Sequence, residues 1–155
     1  MKLKFIVDVN VGKLAKWLRI LGYDAVFING LDDEGLIRIA IDEGRVLLTK
    51  DTRILRRRVV YSGELKLVLI RADDVKGQMR QVIQTLKLAP LDPFSICLEC
   101  NEPLLPRGKE EVRDLVPPYV FQTQTQYMEC PSCHRIYWRG THWQRMKREL
   151  EKLMD

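Results

Sequence analysis

Four short apolar segments in the first 90 residues are each followed by one or more acidic side chains. In chain order these acids are Asp8, Asp32, Asp33, Glu34, Asp51, Asp73 and Asp74. Carboxylates gathered at one place repel each other unless a cation lies among them, and Mg²⁺ and Mn²⁺ prefer such oxygen ligands. A divalent cation can activate water for attack on phosphorus, so the pattern predicts metal-dependent phosphodiester hydrolysis.

Helix capping is the competing explanation of these acids. Asp is a favoured N-cap, and each acid precedes a segment with helical periodicity. Capping explains an acid at one such turn more readily than acids at all four turns. We therefore expect a shared acidic site, with Asp8 as its strongest candidate, because Asp8 ends an apolar strand where a bare charge is costly.

The second distinctive pattern is two Cys-x-x-Cys turns, formed by Cys97, Cys100, Cys130 and Cys133. Four thiolates at this spacing can hold one tetrahedral Zn²⁺, and they leave no position open for catalysis. The 29 residues between the two turns require an inserted hairpin or loop. Iron or disulfides are the alternatives, as are His134 and His142 as ligands in place of a cysteine. We expect a structural zinc site, which lowers the formal net charge from +5 to +3.

Two basic stretches could hold a nucleic-acid strand. The first follows the third acidic position and contains Arg53, Arg56 and Arg57. The second follows the last cysteine and contains Arg135, Trp138, Arg139, His142 and Trp143. Arginines neutralise phosphates and aromatic rings stack on unpaired bases, which favours single-stranded RNA as the partner.

Each of these stretches also has a purely structural interpretation. Trp138 or Trp143 could pack the cysteine-containing segment onto the rest of the chain. The run of arginines from Arg56 to Arg58 could be a solvated helix face. We expect a third set of basic residues to form such a face, namely Lys13, Lys16 and Arg19.

Alternating strands and helices must position these side chains. Apolar and β-branched runs predict strands over residues 3–8, 25–28, 46–49 and 66–70. Helical spacing predicts helices over about residues 14–21, 33–43, 52–58, 75–86 and 143–154. The order predicts an α/β fold with a mostly parallel sheet flanked by helices on both faces. All strand ends then meet at one edge of the sheet, where the ligands of open sheets bind.

Prolines at positions 90 and 93 mark a boundary between two segments. We predict a nuclease domain over residues 1–90 and a zinc ribbon with a C-terminal helix over residues 91–155. The first segment carries 17 basic and 11 acidic residues, and the second carries 9 and 10. The positive excess, which weakly favours an anionic partner, therefore lies in the first segment.

Length and composition exclude several classes of protein. With 155 residues, of which 46% are hydrophobic and 30% charged, the chain is not a disordered one and can fold without disulfides. The apolar runs are too short to span a bilayer, which takes ~20 residues. The first eight residues lack a long apolar stretch and a cleavage site. We therefore expect a cytoplasmic protein without a membrane partner.

Taken together, these segments resemble the RNase domain found at the C-terminus of the mutator exonuclease Mut-seven, which also occurs as stand-alone prokaryotic proteins. The similarity covers nearly the whole chain and keeps the order of the motifs. The matching segments are Phe5-Ile-Val-Asp8, Leu14 to Gly22, Asp33-Glu34, Gly44 to Asp51, both cysteine pairs and Tyr137-Trp-Arg-Gly-Thr-His142.

The resemblance implies a PIN-like nuclease fold followed by a zinc ribbon. It also implies a metal-dependent ribonuclease with Mg²⁺ or Mn²⁺ at an acidic site. Asp8 and Asp51 match strand-end metal ligands of the family, and Asp33 matches the acid that opens the following helix. Additional candidates for this site are Asn10, Glu34 and Asp74.

Two other functions stay open on the sequence alone. A non-catalytic RNA- or ribosome-associated zinc-ribbon module would bind RNA with or without Mg²⁺ and would give no cleavage products. A phospho-receiver domain is also doubly wound, with acids after its first and third strands. It requires paired acids after the first strand, however, and here Val9 and Asn10 follow Asp8. It also requires a fifth strand that ends in lysine, and Pro90 intervenes before one begins.

Overall fold

Four parallel strands form the sheet at the centre of the computed structural model, which describes residues 2–154. Met1 and Asp155, the outer ends of the two predicted segments, lie outside the described residues. The strand order is β2-β1-β3-β4, and the strands are β1 (Phe5–Val7), β2 (Ala25–Val26), β3 (Val46–Thr49) and β4 (Leu67–Leu69). This confirms the α/β class with a parallel sheet.

Helical segments follow each strand, as the periodicity predicts. The α-helices of this part are α1 (Leu14–Ile20), α2 (Asp33–Glu43), α3 (Arg58–Tyr61) and α4 (Val75–Leu86). Two short 3₁₀ helices cover Val9–Val11 and Thr52–Arg56. The segment after β3 is therefore a 3₁₀ turn followed by one turn of α-helix, rather than one continuous helix over 52–58.

The sheet is covered on both faces, because side chains alternate along each strand. Phe5 and Val7 face a core formed with α1 and α4. Ile6 and Leu47 face a second core formed with α2 and the 3₁₀ helix after β3. Within this two-faced arrangement all four strands end at the same edge, which we call the carboxyl edge. The opposite edge is the amino edge.

A smaller antiparallel sheet follows in the cysteine-containing part of the chain. Its strands, in the order β5-β6-β7, are β5 (Leu105–Arg107), β6 (Tyr127–Glu129) and β7 (Ile136–Tyr137). Between β5 and β6 lie a 3₁₀ helix and α5, which cover Glu110–Val112 and Pro118–Thr123. This insertion occupies most of the 29 residues that separate the two cysteine turns.

The last helix returns to the parallel sheet. It is α6 (Thr141–Met154), and it contributes Met146, Leu150 and Leu153 to the core that contains β1, α1 and α4. Helical periodicity predicted the helix from residue 143 onward but did not indicate what it packs against. Among residues 2–154, none of the helices has the length and apolarity needed to cross a membrane.

Arg19 joins the first cysteine turn, residues 97–100, to the parallel sheet. Its Nε and Nη2 donate to the carbonyl oxygen of Ala25 at 3.0 and 2.7 Å, and its Nη1 donates to that of Leu98 at 2.6 Å. Only 6% of Arg19 is exposed. The expectation that Arg19 belongs to a solvated helix face is therefore wrong. Its guanidinium is buried and donates hydrogen bonds to the carbonyl groups of Ala25 and Leu98.

A second link to the same cysteine turn passes through Asp24 at the amino edge. Asn101 donates from Nδ2 to Asp24 Oδ1 at 2.6 Å, and it accepts from the backbone N–H of Ala25 at 3.0 Å. Arg45 donates to both oxygens of Asp24, at 2.7 and 3.3 Å. Burial opposes ionisation of Asp24, but the hydrogen bonds from Arg45 and Asn101 outweigh it and hold its pKa below the usual range.

Candidate active site and metal centre

Asp8 lies directly after β1 at the carboxyl edge, and only 6% of it is exposed. Its Oδ1 accepts a hydrogen bond from the backbone N–H of Val9 at 2.7 Å, and its Oδ2 accepts one from the Thr49 hydroxyl at 2.7 Å. A carboxylate offers about four acceptor positions, so these bonds fix its orientation and leave capacity for another partner. Asp8 is therefore a preorganised anionic group.

Thr49 connects the ends of the first and third strands. It is fully buried at the end of β3, where its hydroxyl donates to Asp8 and accepts from the backbone N–H of Asp51 at 3.0 Å. One hydroxyl thus positions both acids, a role that the sequence analysis missed. The available signal was a hydroxyl residue that ends an otherwise apolar strand two positions before Asp51.

Asp33 is the first residue of α2 and feels the charges of the other two candidate acids. Burial, followed by the negative charges of Asp51 and Asp8, raises the pKa of Asp33 above its usual value. The guanidinium groups of Arg53 and Arg57 act in the opposite direction but do not cancel this effect. The charges of Asp8 and Asp51 thus reach Asp33 and make its ionisation more costly.

Asp51 is held by the arginine two positions later. Arg53 donates from its backbone N–H and Nε to Oδ1 at 2.9 and 3.0 Å, and from Nη2 to Oδ2 at 3.1 Å. Hydrogen bonds from the Arg53 side chain and backbone hold the pKa of Asp51 below its usual range. The Arg53 side chain is 81% exposed, so this ion pair is easily exchanged for another partner.

The remaining acids at this edge have partners of their own. Lys50 donates from Nζ to Asp73 at 2.6 Å, and Glu34 forms an ion pair with Arg57. Asp74 caps α4 by position, but its side chain makes no capping hydrogen bond. Asn10 accepts from the backbone N–H of Lys50 at 3.2 Å. Asp8 and Asp51 are thus linked through Thr49, and their charges act on Asp33, but in the described part of the chain the three carboxylates do not gather closely around one point.

Several of these acids do cap helices, as the competing explanation predicts. Asp32 caps α2 by accepting from the backbone N–H of Gly35 at 2.8 Å. Asp8 and Asp51 also accept from backbone N–H groups at the start of their 3₁₀ helices. A cap uses one acceptor position of a carboxylate, so it does not prevent the same group from facing a cation.

Apolar side chains surround the acids at the carboxyl edge. Val9 follows β1, Ile28 follows β2 and Leu55 lies in the 3₁₀ helix after β3. They are exposed by 60%, 44% and 39% respectively. Each of these residues follows a different strand end, so solvent-facing apolar surface adjoins the charged groups on several sides. Such surface suits contact with the sugar or base of a nucleotide.

The four cysteines form a second, much tighter cluster. Their sulfurs all lie within 4.8 Å of one another, and none is in a disulfide. Cys97 Sγ and Cys133 Sγ are 3.8 Å apart, and a tetrahedral Zn²⁺ with bonds of about 2.3 Å sets its sulfurs about 3.8 Å apart. When Cys, His, Asp and Glu side chains of residues 2–154 are all considered, these four cysteines form a group close enough to hold one ion. The cluster is compatible with a structural zinc.

The two cysteine turns have the same local structure. In each, the residue after the second cysteine adopts a positive φ, 62° at Asn101 and 64° at His134. The backbone N–H of each of these residues donates to the carbonyl of the first cysteine of its turn, at 2.9 Å in both cases. Backbone N–H groups also donate to the sulfurs of Cys97 and Cys130 at 3.4 Å. Such bonds favour thiolates, the form that binds metal.

The predicted RNA-contacting aromatic residues are partly buried. Trp138 packs against the cluster of Val112, Val116, Val120 and Tyr127 in the insertion between β5 and β6. Trp143 packs on the core of the parallel sheet, with the Phe94 ring edge-on at 5.6 Å. Arg139 and Lys147 lie 5.3 and 5.4 Å from the Trp143 ring centre. Both tryptophans thus have packing roles, whereas Arg135, Arg139 and His142 are exposed.

Comparison with known proteins gives one match. A family model described as the Mut7-C RNAse domain matches residues 3–150, which is nearly the whole chain. Neither the curated proteins nor the solved structures give a match. The match spans the acids of the carboxyl edge and all four cysteines, in agreement with the resemblance noted in the sequence.

Proposed function

This chain belongs to the Mut7-C RNAse domain family, and from that membership we propose that it is a metal-dependent ribonuclease. Its catalytic acids are Asp8, Asp33 and Asp51, and its substrate is single-stranded RNA. The observation that carries the proposal is the position of the three acids at the carboxyl edge, where one hydroxyl, that of Thr49, bonds both to the Asp8 carboxylate and to the Asp51 backbone. The negative charges of Asp51 and Asp8 also contribute, after burial, to the raised pKa of Asp33.

The donor set fits Mg²⁺ or Mn²⁺. Both ions take carboxylate oxygens and few other protein ligands, and both leave positions for water and substrate phosphate. Asp8, Asp33 and Asp51 would hold such an ion. When bound, it would polarise the phosphate and supply a water of lowered pKa for hydrolysis. Water then adds to phosphorus and one P–O bond breaks, which leaves one fragment with a phosphate monoester and the other with a hydroxyl.

The remaining residues of this edge would position the acids and the strand. The Thr49 hydroxyl donates to the Asp8 carboxylate and accepts from the backbone N–H of Asp51, so it would fix the Asp8 side chain and the Asp51 backbone. Arg53 neutralises Asp51 in the free protein and, once exchanged, becomes available to a phosphate. Arg56 and Arg57 add positive charge beside it. Three further residues at this edge are secondary candidates, namely Asn10, Glu34 and Asp74. Asn10 and Glu34 already have hydrogen-bond or ion-pair partners, and Asp74 is exposed to solvent.

We propose a division of labour between two parts of the chain. Residues 1–90 would carry the chemistry, and residues 91–155 would form a zinc ribbon that holds RNA through Arg135, Trp138, Arg139, His142 and Trp143. The zinc itself is part of this proposal, held by Cys97, Cys100, Cys130 and Cys133. Free thiols suit a reducing compartment, which favours the cytoplasm as the place of action.

A non-catalytic RNA-binding module is the second candidate function. The basic residues of the ribbon favour it, because they bind phosphates whether or not the acids hold a cation. It differs from the first proposal in a single testable respect, which is the formation of products.

The deciding experiment is a cleavage assay on labelled single-stranded RNA with Mn²⁺, with Mg²⁺ and with EDTA. The nuclease proposal predicts cleavage that requires the divalent cation. It also predicts that Asp8→Asn lowers the rate by about 100-fold or more, since even outer partners of metal sites cost 10–100-fold when mutated.

The matched control is Asp42→Asn, which removes an exposed carboxylate from the far end of α2. It should cleave like the wild type. Cleavage that persists in a folded Asp8→Asn variant would refute the assignment of the acids. Binding without products under every condition would instead favour the non-catalytic module.

A further inference from the structure

A groove of about 900 Å³ runs between α1, α6 and the first cysteine turn. It does not contain Asp8, Asp33 or Asp51, so it is separate from the proposed catalytic site. We propose that this groove, the α1–α6 groove, binds single-stranded RNA and leads the strand from the cysteine turns to the carboxyl edge. The identification of RNA as the ligand rests on the proposed function, whereas the binding itself does not require catalysis.

The charge of the groove lining favours a polyanion. Six lysine and arginine residues line it, against two glutamates, although one of the six, Arg19, is buried and bonded to carbonyl groups. Both glutamates are already paired, Glu99 with Lys16 at 2.8 Å and Glu149 with Lys76 at 3.1 Å. Among residues 2–154, Lys13 and Arg145 form no ion pair with a described carboxylate. Two unneutralised cations therefore face a groove that has no unpaired acid in its lining.

Aromatic rings in the same lining favour a ligand with planar groups. Trp17 from α1, Phe27 after β2 and Tyr137 from β7 all line the groove. Stacking on aromatic rings is the usual way that proteins hold unpaired bases without sequence preference. A Cβ atom on Gly12 would lie 2.9 Å from Cε1 of Phe27, so a larger residue at position 12 would have to displace this ring.

The groove connects the two regions that the proposed function requires to act together. At one end lie Gly12 and Lys13, which immediately precede α1, and Lys76 in the first turn of α4. Both helices begin at the carboxyl edge, because each follows a parallel strand. At the other end lie Glu99 of the first cysteine turn and Arg135 beyond the second.

The dimensions suit a short run of nucleotides. From residue 13 to residue 19, α1 rises by about 9 Å. Stacked nucleotides repeat about every 3.4 Å along one strand, so this length accommodates about three of them. The basic residues Lys13 and Lys16, expected from the sequence to be a solvated face, thus lie along the wall of a groove.

The test is a binding measurement with a double variant, Lys13→Gln/Arg145→Gln, in the full chain. Both side chains are exposed, so the substitutions should leave the fold intact, which thermal melting verifies. The probe is a short 2′-O-methyl oligouridylate in EDTA, which removes cleavage from the experiment. At ~0.1 M salt each single-strand phosphate contact contributes about fivefold to affinity, so we expect a loss of about 20-fold. The slope of log K against log salt should become shallower by about 1.4.

The control is a second double variant, Arg38→Gln/Lys66→Gln, which removes the same charge elsewhere. Arg38 is exposed on α2 and Lys66 is exposed just before β4. Neither lines the groove. This variant should bind the oligonucleotide as the wild type does. Equal losses in the two double variants would mean general electrostatic attraction and would overturn the assignment of the groove.

Two further outcomes separate this proposal from the proposed function. If wild-type RNA cleavage requires Asp8 but Lys13→Gln/Arg145→Gln binds normally, the groove assignment fails and the nuclease assignment stands. If neither the wild type nor any variant cleaves RNA, but Lys13→Gln/Arg145→Gln still loses oligonucleotide binding, the nuclease assignment fails and the groove assignment stands. An acidic peptide such as polyglutamate is the competing ligand. Groove-dependent binding of that peptide, with oligonucleotide binding unaffected, would overturn the proposal.

Discussion

The two clusters of possible metal ligands differ in how closely their atoms approach one another. The four cysteine sulfurs lie within 4.8 Å of one another, and those of Cys97 and Cys130 accept hydrogen bonds from backbone N–H groups. The acids of the carboxyl edge are spread more widely, and they are occupied by Thr49, by backbone N–H groups and by Arg53. We call the sulfur cluster closed because its four sulfurs make up a complete ligand set for one ion, and the acidic cluster open because its carboxylates hold protein partners that can exchange.

This difference matches two distinct uses of a metal. A closed site with all its ligands in place suits an ion that stays bound and stabilises the fold. An open site whose ligands repel one another and can exchange partners suits an ion that meets substrate and water. The same 155-residue chain thus combines a rigid cluster with an adjustable one. The predictions that follow test this contrast, beginning with the largest expected effect.

The largest effect should come from Cys97→Ser. Structural zinc contributes about 10–16 kcal/mol of apparent binding free energy in small zinc modules, which is comparable to the whole stability of a domain. We expect the variant to lose its zinc and residues 94–140 to lose protection from hydrogen exchange. Elemental analysis and hydrogen-exchange mass spectrometry measure these two results.

Ser132→Ala is the matched control, since Ser132 is exposed within the second cysteine turn. It should retain one zinc per chain and normal protection. A Cys97→Ser variant with full zinc content and unchanged exchange would remove the contrast between a closed and an open site.

A smaller effect is expected from Thr49→Val, which keeps the side-chain shape but deletes the hydroxyl. Asp8 Oδ2 then loses its donor, and the backbone N–H of Asp51 loses its acceptor. Unsatisfied buried polar groups cost about 1–3 kcal/mol, so the free energy of unfolding should fall by that amount. Urea denaturation measures it. Metal-dependent cleavage should fall by about 10–100-fold, as for other groups that orient metal ligands.

The control for this substitution is Thr52→Val, at an exposed position just after Asp51. Its stability should stay within about 0.5 kcal/mol of the wild type. If Thr49→Val is as stable and as active as this control, the hydroxyl does not position the acids.

The smallest effect is expected from Asp33→Asn, which removes the repulsion between Asp33 and the carboxylates of Asp51 and Asp8. Because the pKa of Asp33 is raised in the folded chain, the cost of ionising it is absent in acid and fully present above its folded pKa. Asp33→Asn should therefore raise Tm by about 1–2 °C near neutral pH without divalent cations. Below the usual carboxyl range, near pH 3, the gain should vanish.

Saturating Mn²⁺ should make the wild type more stable than Asp33→Asn, the opposite of the order expected without divalent cations. An ion that binds only the folded state stabilises it by about 2.7 kcal/mol at a concentration of 100 times its Kd. The wild type should gain this stabilisation and Asp33→Asn should gain much less. Asp42→Asn serves as the control, and it should respond to Mn²⁺ like the wild type. If Mn²⁺ stabilises Asp33→Asn as much as the wild type, Asp33 is not a ligand of the cation.

The sequence predicted those parts of the molecule that depend on local patterns. Strand β3 and helix α2 were placed within a residue or two, because apolar spacing, a capping acid at Asp32 or Asp33 and the glycine at position 44 are all local signals. The two cysteine turns were identified for the same reason, because the Cys-x-x-Cys spacing is itself a local signal and both turns adopt the same local structure. The acidic segments came from their positions after the strands, and the choice of Asp8, Asp33 and Asp51 among those acids came from the family resemblance.

Contacts between distant segments could not be predicted in this way. Nothing near Arg19 in the sequence indicates that its guanidinium meets the carbonyl of Leu98, 79 positions away. The pairing of Thr49 with Asp8 depends on the register of β1 beside β3, which periodicity does not give. The same limit applies to Lys13 and Arg145, which become neighbours of one groove only after α6 has packed against α1 and α4.

The return of α6 to the parallel sheet bears on how the chain is made. Protein synthesis delivers the first 90 residues and the cysteine turns before the helix that carries Met146, Leu150 and Leu153. Until that helix leaves the ribosome, the apolar surface of α1 and α4 that it covers faces water. The cysteine turns emerge during this interval and can bind their metal before the main core closes. Completion of the fold thus waits for α6, which follows the other elements of the fold, although the proposed catalytic acids precede both cysteine turns along the chain.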